Sequence, residues 1–294
     1  MNPAVAHNDD WDKHWDEYAD TAASNPAQRF RRRLILELLH LGSGPARVLD
    51  IGCGQGDLIA DLHKAHPNAE LCGTDYSQWG IDIAAKKVPT AQFFARDLLQ
   101  DGKPPENLAG WATHAVCSEV LEHVDEPETL LRNARAYLAP GCRLVVTVPG
   151  GPMSAFDRHI GHRRHYTPKR LRETLRAACF EVETVTGAGF PLFNVYRAVV
   201  ILRGQGLVGD IVAGSPSLPP RLAMGLFRAL LAIPAPHGRW GWQLVGVGRA
   251  ASSRPGSPAP APDRSPAAAA RPRSPAAAHP APTRARSERP PASG

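Results

Sequence analysis

The sequence predicts an open α/β sheet, and three observations carry that reading. Short apolar or alternating runs at 47–51, 70–75, 92–97, 114–119, 142–149 and 181–186 are bounded by turn residues, as strands are. The segments between most of them place apolar residues at helical spacing, and strand–helix alternation is the pattern of a sheet with helices on its faces. The first run leads straight into Gly52-Cys53-Gly54-Gln55-Gly56, a glycine loop at the strand exit, where such sheets bind ligands.

Taken in order, a helix over 26–41 opens on Pro26, which suits a first helical turn. Strand 47–51 and a helix from Asp57 to 65 flank the glycine loop; strand 70–75 ends in Asp75 and precedes a helix over 77–87. Strand 92–97 ends in Arg96-Asp97, and strand 114–119 in Ser118-Glu119. A helix over 126–138 is stopped by Leu138-Ala139-Pro140-Gly141, and strand 142–149 runs into Gly150-Gly151. Thr167 before Pro168 reads as an N-cap with proline at N1, opening a helix over 168–178 ahead of strand 181–186.

Glycine tolerates positive φ and lets the main chain approach a ligand, which side chains at Gly52, Gly54 and Gly56 would obstruct. The helix beginning near Asp57 turns its free N–H groups toward the same place. A dinucleotide fold needs Gly-x-Gly-x-x-Gly, whereas the third glycine here comes one residue early and Asp57 would face a pyrophosphate. The sulfonium and amino groups of S-adenosylmethionine (SAM) are favoured by a nearby acid such as Asp50, so the spacing favours SAM over NAD. Asp75, 23 positions past Gly52, is placed to accept hydrogen bonds from a ribose diol, and Asp97 to accept the amino group of an adenine.

Composition changes abruptly after Ala250. Residues 251–294 contain no aromatic and no branched aliphatic residue, so they cannot bury enough surface to fold and read as a disordered tail. Seven arginines against Asp263 and Glu288 give the tail +5 of the whole-chain +6. The remainder is nearly neutral, which argues against a nucleic-acid partner, while the tail itself suits solvent, an acidic partner or anionic lipid. Cys53, Cys72, Cys117, Cys142 and Cys179 are odd in number and lie mostly in apolar runs, without a Cys-x-x-Cys pair; they read as small buried hydrophobes. Residues 1–12 lack an apolar signal core and no apolar run is long enough to span a bilayer, so a cytoplasmic location is expected.

With these residues in place, the chain resembles class I SAM-dependent methyltransferases over roughly 11–249. Val48-Leu49-Asp50-Ile51-Gly52-Cys53-Gly54-Gln55-Gly56 is similar to that family's first motif. The resemblance implies a Rossmann-like, seven-stranded sheet with helices on both faces, its last antiparallel strand supplied by 242–249. It also implies that Asp50, Gly52, Gly54 and Gly56 line the methionine end of the cofactor, Asp75 with Tyr76 the ribose, Asp97-Leu98 the adenine, and that Ser118 joins the cofactor site. The aromatic segment Trp11-Asp12-Lys13-His14-Trp15-Asp16-Glu17-Tyr18 is similar to the family's cofactor-covering helix, within an N-terminal helical cap over 1–46; an amphipathic helix on the sheet rim fits it equally.

Glu119-Val120-Leu121-Glu122-His123 resembles the Glu-x-x-Glu-His motif of ubiquinone-pathway O-methyltransferases and Hen1-type RNA 3′-end 2′-O-methyltransferases, which binds a divalent metal. Arg158-His159-Ile160-Gly161-His162-Arg163-Arg164-His165-Tyr166-Thr167 resembles the stretch completing the Hen1 metal site, but Gly161 stands where that family prefers an acid, against an RNA substrate. The resemblance thus implies Glu119, Glu122, His123 and His162 as ligands of Mg²⁺ or Mn²⁺, with His123 and Glu119 as the catalytic pair.

Methyl transfer is an in-line displacement that needs an unprotonated acceptor. An ion held by carboxylates and imidazoles lowers an acceptor hydroxyl's pKa, or His123 removes the proton itself; alternatively Glu122 merely favours a helix N-terminus and His123 packs beside it. The loop 153–166, with His159, Arg163, Arg164, His165 and Tyr166, suits recognition of phosphate, carboxylate or sugar oxygens, or forms a solvated lid. The apolar insertion 190–233 reads as a substrate cap, a dimer surface or a helix pair on a membrane surface. The expected protein is a SAM-dependent methyltransferase acting on an oxygen of a small or carrier-linked metabolite; RNA 2′-O-methylation, small-molecule N-methylation, an NAD-linked oxidoreductase and a non-catalytic SAM-binding protein are the alternatives.

Overall fold

The computed structural model describes residues 25–42, 44–203, 218–233 and 238–251. The expected cofactor-covering helix at 11–18 and the tail beyond 251 lie outside the described residues.

Seven strands form one sheet in the order β3-β2-β1-β4-β5-β7-β6: β1 Arg47–Ile51, β2 Glu70–Asp75, β3 Gln92–Ala95, β4 Ala112–Ser118, β5 Leu138–Pro149, β6 Phe180–Ala188 and β7 Gln243–Ala250. The pairs from β3 through β5 are parallel, while β7 inserts antiparallel between β5 and β6, as the family resemblance implies. Successive side chains along a strand face opposite sides. Leu49, Cys117 and Val146 therefore join one buried layer, and Val48, Val116 and Val145 the other.

The helices cover both faces: α1 Pro26–Leu39, α2 Asp57–Ala65, α3 Gln78–Lys87, α4 Pro127–Ala134, α5 Ala155–His159, α6 Pro168–Ala177, α7 Leu192–Arg203 and α8 Leu218–Leu230. α4 and α6 contribute Leu131, Leu171 and Leu175 to the first layer; α1, α2 and α7 contribute Ile35, Ile59 and Phe193 to the second. Their starts follow from local chemistry. Asn25 caps α1 by accepting the Ala27 N–H at 2.9 Å, and Thr167 caps α6 ahead of Pro168.

Several boundaries differ from the sequence reading; β3, for one, ends at Ala95, so Arg96 and Asp97 lie just past it. The helix expected over 126–138 ends at Ala134 and passes through a 3₁₀ turn, Arg135–Tyr137. Residues 138–141, read as a helix stop, instead begin β5, where Ala112 pairs with Leu138 and the chain bends at Gly141 with φ 74°. Within the insertion read over 190–233, α8 starts at Leu218, with prolines 219 and 220 in its first turn, where a missing N–H costs nothing. The short helix α5, absent from the sequence reading, is fixed by a capping box in which Ser154 and Asp157 exchange side-chain to backbone bonds.

Candidate functional site

After β1 the chain turns through Gly52, Gly54 and Gly56 with φ of 74°, 51° and 76°, a left-handed region that penalises any Cβ. Packing adds a second reason for glycine. A Cβ on Gly52 would overlap Val120, and one on Gly56 would come within 2.8 Å of Ala84 Cβ. The Gly52 and Cys53 N–H groups donate to Thr74 O at 2.8 and 3.0 Å. The Gly54 N–H donates to Asp75 Oδ2 at 2.8 Å, and the other oxygen of Asp75 accepts the Ser77 N–H at 2.9 Å. One carboxylate thus joins the glycine loop to the cap of α3.

Asp50 is buried at the end of β1, and burial, reinforced by the neighbouring Asp75 charge, raises its carboxyl to about 7. Asp57 is not aimed at a ligand as the sequence reading has it: Lys87 Nζ lies 2.6 Å from one oxygen and Gln55 Nε2 3.2 Å from the other. The case against a pyrophosphate therefore rests on the glycine spacing alone.

A cavity opens beside the loop at the carboxyl ends of the strands. Gly52, Asp75, Tyr76, Asp97 and Leu98 line it on the β1 to β3 side; Glu119, Val120, His123 and Val124 line it on the β4 side, with Arg163 from the loop 153–166. Asp97 Oδ1 also accepts the Leu99 N–H at 2.9 Å. Asp50, Gly54, Gly56 and Ser118 are not in the wall; Ser118 Oγ instead shares a hydrogen bond with Thr147 Oγ1 at 2.8 Å. Arg96, which the sequence places at a strand end, also lines the cavity, as do Val124 and Leu130, which were not singled out in the sequence.

The exit of β4 determines the rest. Glu119 has φ 57°, and its N–H donates to Thr147 O at 2.9 Å. Its carboxylate turns to an assembly drawn from distant segments: Oε1 accepts Gln243 Nε2 at 2.9 Å and Thr147 Oγ1 at 3.2 Å, and Oε2 lies 3.4 Å from Arg31 of α1. Leu121 enters the core. Glu122 is 0% exposed, neither of its oxygens has a hydrogen bond among the described residues, and burial together with Glu119 holds its carboxyl well above the usual range.

Glu122, His123 and His162 bring one ligand atom each within 4.8 Å of one another. The expected quartet is therefore gathered as a trio without Glu119, which Arg31 and Gln243 retain. The His123 and His162 rings meet edge to face at 4.7 Å. Burial, and then His123, pushes His162 down to about 2, so its imidazole is neutral and able to act as a ligand. Behind these rings, His162 Nδ1 lies 3.3 Å from His165 Nε2, and His165 Nδ1 lies 3.1 Å from Gly151 O. Buried Asp157 sits beside both, held by Arg197 of α7 at 3.0 and 2.9 Å and by the Ser154 hydroxyl at 2.7 Å. Although burial opposes it, these partners keep Asp157 below the ordinary carboxylate range.

The other loop residues separate. Arg163 and Arg164 both pair with Asp125, and His159 is exposed. Tyr166 is a core residue rather than a substrate contact: it is buried and its hydroxyl donates to Leu121 O at 3.2 Å. Asp157 and Arg197 were missed by the sequence reading. The Ser-x-x-Asp spacing at 154–157 is the signal that finds the first; nothing local marks the second.

A family profile described as a methyltransferase domain matches residues 25–185. A ubiquinone biosynthesis O-methyltransferase from Marinobacter nauticus is 27% identical over 206 residues, covering 62% of this chain and 83% of that protein. A trans-aconitate 2-methyltransferase from Variovorax paradoxus is 29% identical over 140 residues, covering 48% and 50%. The chain spans about half the length of several curated relatives that it matches. Among solved structures, the [4+2]-cyclase SpnF superposes with a TM-score of 0.56 at 18% identity, over 83% of this chain and 96% of that one.

Asp75→Asn leaves one oxygen for two N–H donors and sets an amide N–H₂ against the other. The substitution is expected to cost about 1–3 kcal/mol of stability, read as a lowered urea midpoint at unchanged slope; an unaltered midpoint would mean that the clamp contributes nothing.

Proposed function

Because the chain belongs to the methyltransferase-domain family, we propose that it binds SAM beside the glycine loop and transfers the methyl group to an oxygen of a small or carrier-linked metabolite. The observation that carries this reading is the single cavity shared by Asp75, Tyr76, Asp97 and Leu98 on one side and Glu119, His123 and Arg163 on the other. The first set suits an adenosine, with hydrogen-bond acceptors for a diol and an exocyclic amine and an apolar contact for the purine. The second suits an acceptor that must lose a proton.

In the proposed step a lone pair on the acceptor oxygen attacks the methyl carbon from behind, the carbon–sulfur bond breaks toward sulfur, and the sulfonium becomes a neutral thioether. His123 takes the hydroxyl proton. Val120, packed where Gly52 lacks a Cβ, brings the β4 exit against the glycine loop, so donor and acceptor groups are held at a fixed spacing. Arg163 offers a cation to an anionic acceptor. His123→Ala is expected to lower kcat by about 10²–10⁴ while leaving the SAM Kd within about twofold, assayed with labelled SAM against phenols, catechols and carboxylates. Turnover equal to that of the parent protein would remove His123 from the chemistry.

Asp50 gives the pH dependence. In the free protein its carboxyl titrates near 7 because of burial and Asp75. The cationic donor favours the ionised form, so below pH 7 binding must release a proton and affinity falls as pH falls; above 7 it levels off. The demethylated product lacks the sulfonium charge and shows a shallower slope. Calorimetry in buffers of different ionisation enthalpy counts the proton, and equal affinity on both sides of pH 7 would contradict this role.

Glu122, His123 and His162 also fit a divalent ion. The carboxylate without a hydrogen bond and the neutral imidazole are what a cation would complete. One carboxylate with two imidazoles suits Mn²⁺ or another transition ion better than Mg²⁺, which prefers oxygen. When bound, the ion would polarise the acceptor oxygen as a Lewis acid, and His123 would then serve as a ligand instead of a base. Chelation is expected to abolish most turnover, with Mn²⁺ restoring it better than Mg²⁺; full activity in chelator assigns the proton to His123 alone.

A further inference from the structure

The insertion after β6 has two faces. Along α7, Phe193, Tyr196 and Val200 point into the core, while Val195, Val199 and Leu202, at spacings of four and three, share the outer face. Leu202 is 86% exposed and Val195 52%. α8 leans on this helix through Phe227, whose ring meets Tyr196 edge-on at 5.3 Å, and it leaves Leu226 59% exposed. Trp240, 62% exposed, is fastened alongside: Asn194 Nδ2 donates to its carbonyl at 2.8 Å, and the Arg239 guanidinium lies 4.6 Å from its ring centre.

Among the described residues of the insertion the charged side chains are all arginines; Asp210 lies outside the described residues. Residues 190–203, 218–233 and 238–242 contain arginines and no acid. Arg197 is turned inward to Asp157, and Arg203, Arg228 and Arg239 are exposed. The folded part as a whole is nearly neutral, so this concentration is local.

We propose that the outer face of α7 and α8, with Trp240, seats on an anionic lipid bilayer. An apolar stripe with a rim of cations is the arrangement that lies in a membrane interface, and a tryptophan at the rim is suited to headgroup depth. The occupant follows from charge complementarity. Two copies of the chain meeting through this face would set arginine against arginine across the symmetry axis, whereas anionic headgroups neutralise the rim while the acyl region receives Leu202 and Val195. The face lies on the surface and does not span it: no described helix is long and apolar enough to cross a membrane. The basic sequence beyond 251 adds attraction of the same sign and no apolar anchor.

Flotation of the full chain with phosphatidylcholine vesicles, and with vesicles containing phosphatidylglycerol, tests the proposal. Binding is expected only with the anionic lipid and is expected to weaken with salt. Leu202→Glu and Val195→Glu keep the basic tail and the site residues, and each is expected to reduce partitioning roughly tenfold or more while SAM binding and the circular dichroism spectrum stay those of the parent. Trp240→Phe is expected to abolish a lipid-induced blue shift in tryptophan fluorescence. Partitioning of both glutamate variants equal to the parent would assign lipid binding to the tail and overturn the proposal, as would no binding to anionic vesicles at low salt. A concentration-dependent dimer broken by Leu202→Glu would identify the occupant as a second copy and likewise refute it.

Discussion

The left-handed turn at Glu119 is the constraint on which the site depends. A non-glycine residue at φ 57° costs about 1 kcal/mol, and here the cost is met by Arg31, Thr147 and Gln243 around its carboxylate and by the Thr147 carbonyl on its N–H. Five successive residues leave that turn for five destinations. Glu119 enters the polar assembly, Val120 meets Gly52, Leu121 joins the core, Glu122 is sealed against the histidines, and His123 reaches the cavity. A continued strand would have alternated these side chains between two faces and could not have separated an anchor, a ligand and a cavity residue within one stretch.

Much of the sheet was legible because each strand is short, apolar and followed by a residue with a local reason to be there. Asp75 and Asp97 stand at or just past strand ends, and β7 falls where the resemblance puts it. What could not be read are the contacts that span the chain. Arg31 is one of three consecutive arginines, and only the docking of α1 on the sheet selects it for Glu119, while Arg32 pairs with Asp61 and Arg33 with carbonyls at the end of α8. Glu119 stands apart from Glu122 and His123 for the same reason: the three are close in sequence, and the partners that hold Glu119 are 88 and 124 positions away. The strand start at Leu138 was hidden because Pro140 and Gly141 read as a stop, whereas pairing with Ala112 overrides that preference.

The fold does not by itself select a reaction. A structural neighbour that superposes over 83% of this chain is named for a cyclisation, so what this chain does has to be argued from the side chains around its cavity. Those side chains have a consistent electrostatic character. Asp50 and Glu122 are buried acids held above their ordinary range, and His162 is a buried base held below its own. Glu122 and His162 are uncharged near neutrality and Asp50 is partly protonated there, so the protein limits the burial of isolated charge. Under the proposed reading the same groups would become favourable partners once a cation arrives, a sulfonium near Asp50 or a metal at Glu122. A site prepared in this way discriminates for positive ligands without the standing cost of buried anions.

Arg197 connects this chemistry to the outer face of the insertion. It sits on α7 between Val195 and Val199, which face outward, yet its guanidinium reaches inward to both oxygens of Asp157. Asp157 in turn caps α5 and lies beside His162 and His165. A displacement of α7 therefore cannot leave the histidines untouched, because the carboxylate that steadies them is shared with the helix. The apolar insertion is not an appendage to the sheet: one buried ion pair joins its Arg197 to the carboxylate that lies beside His162 and His165.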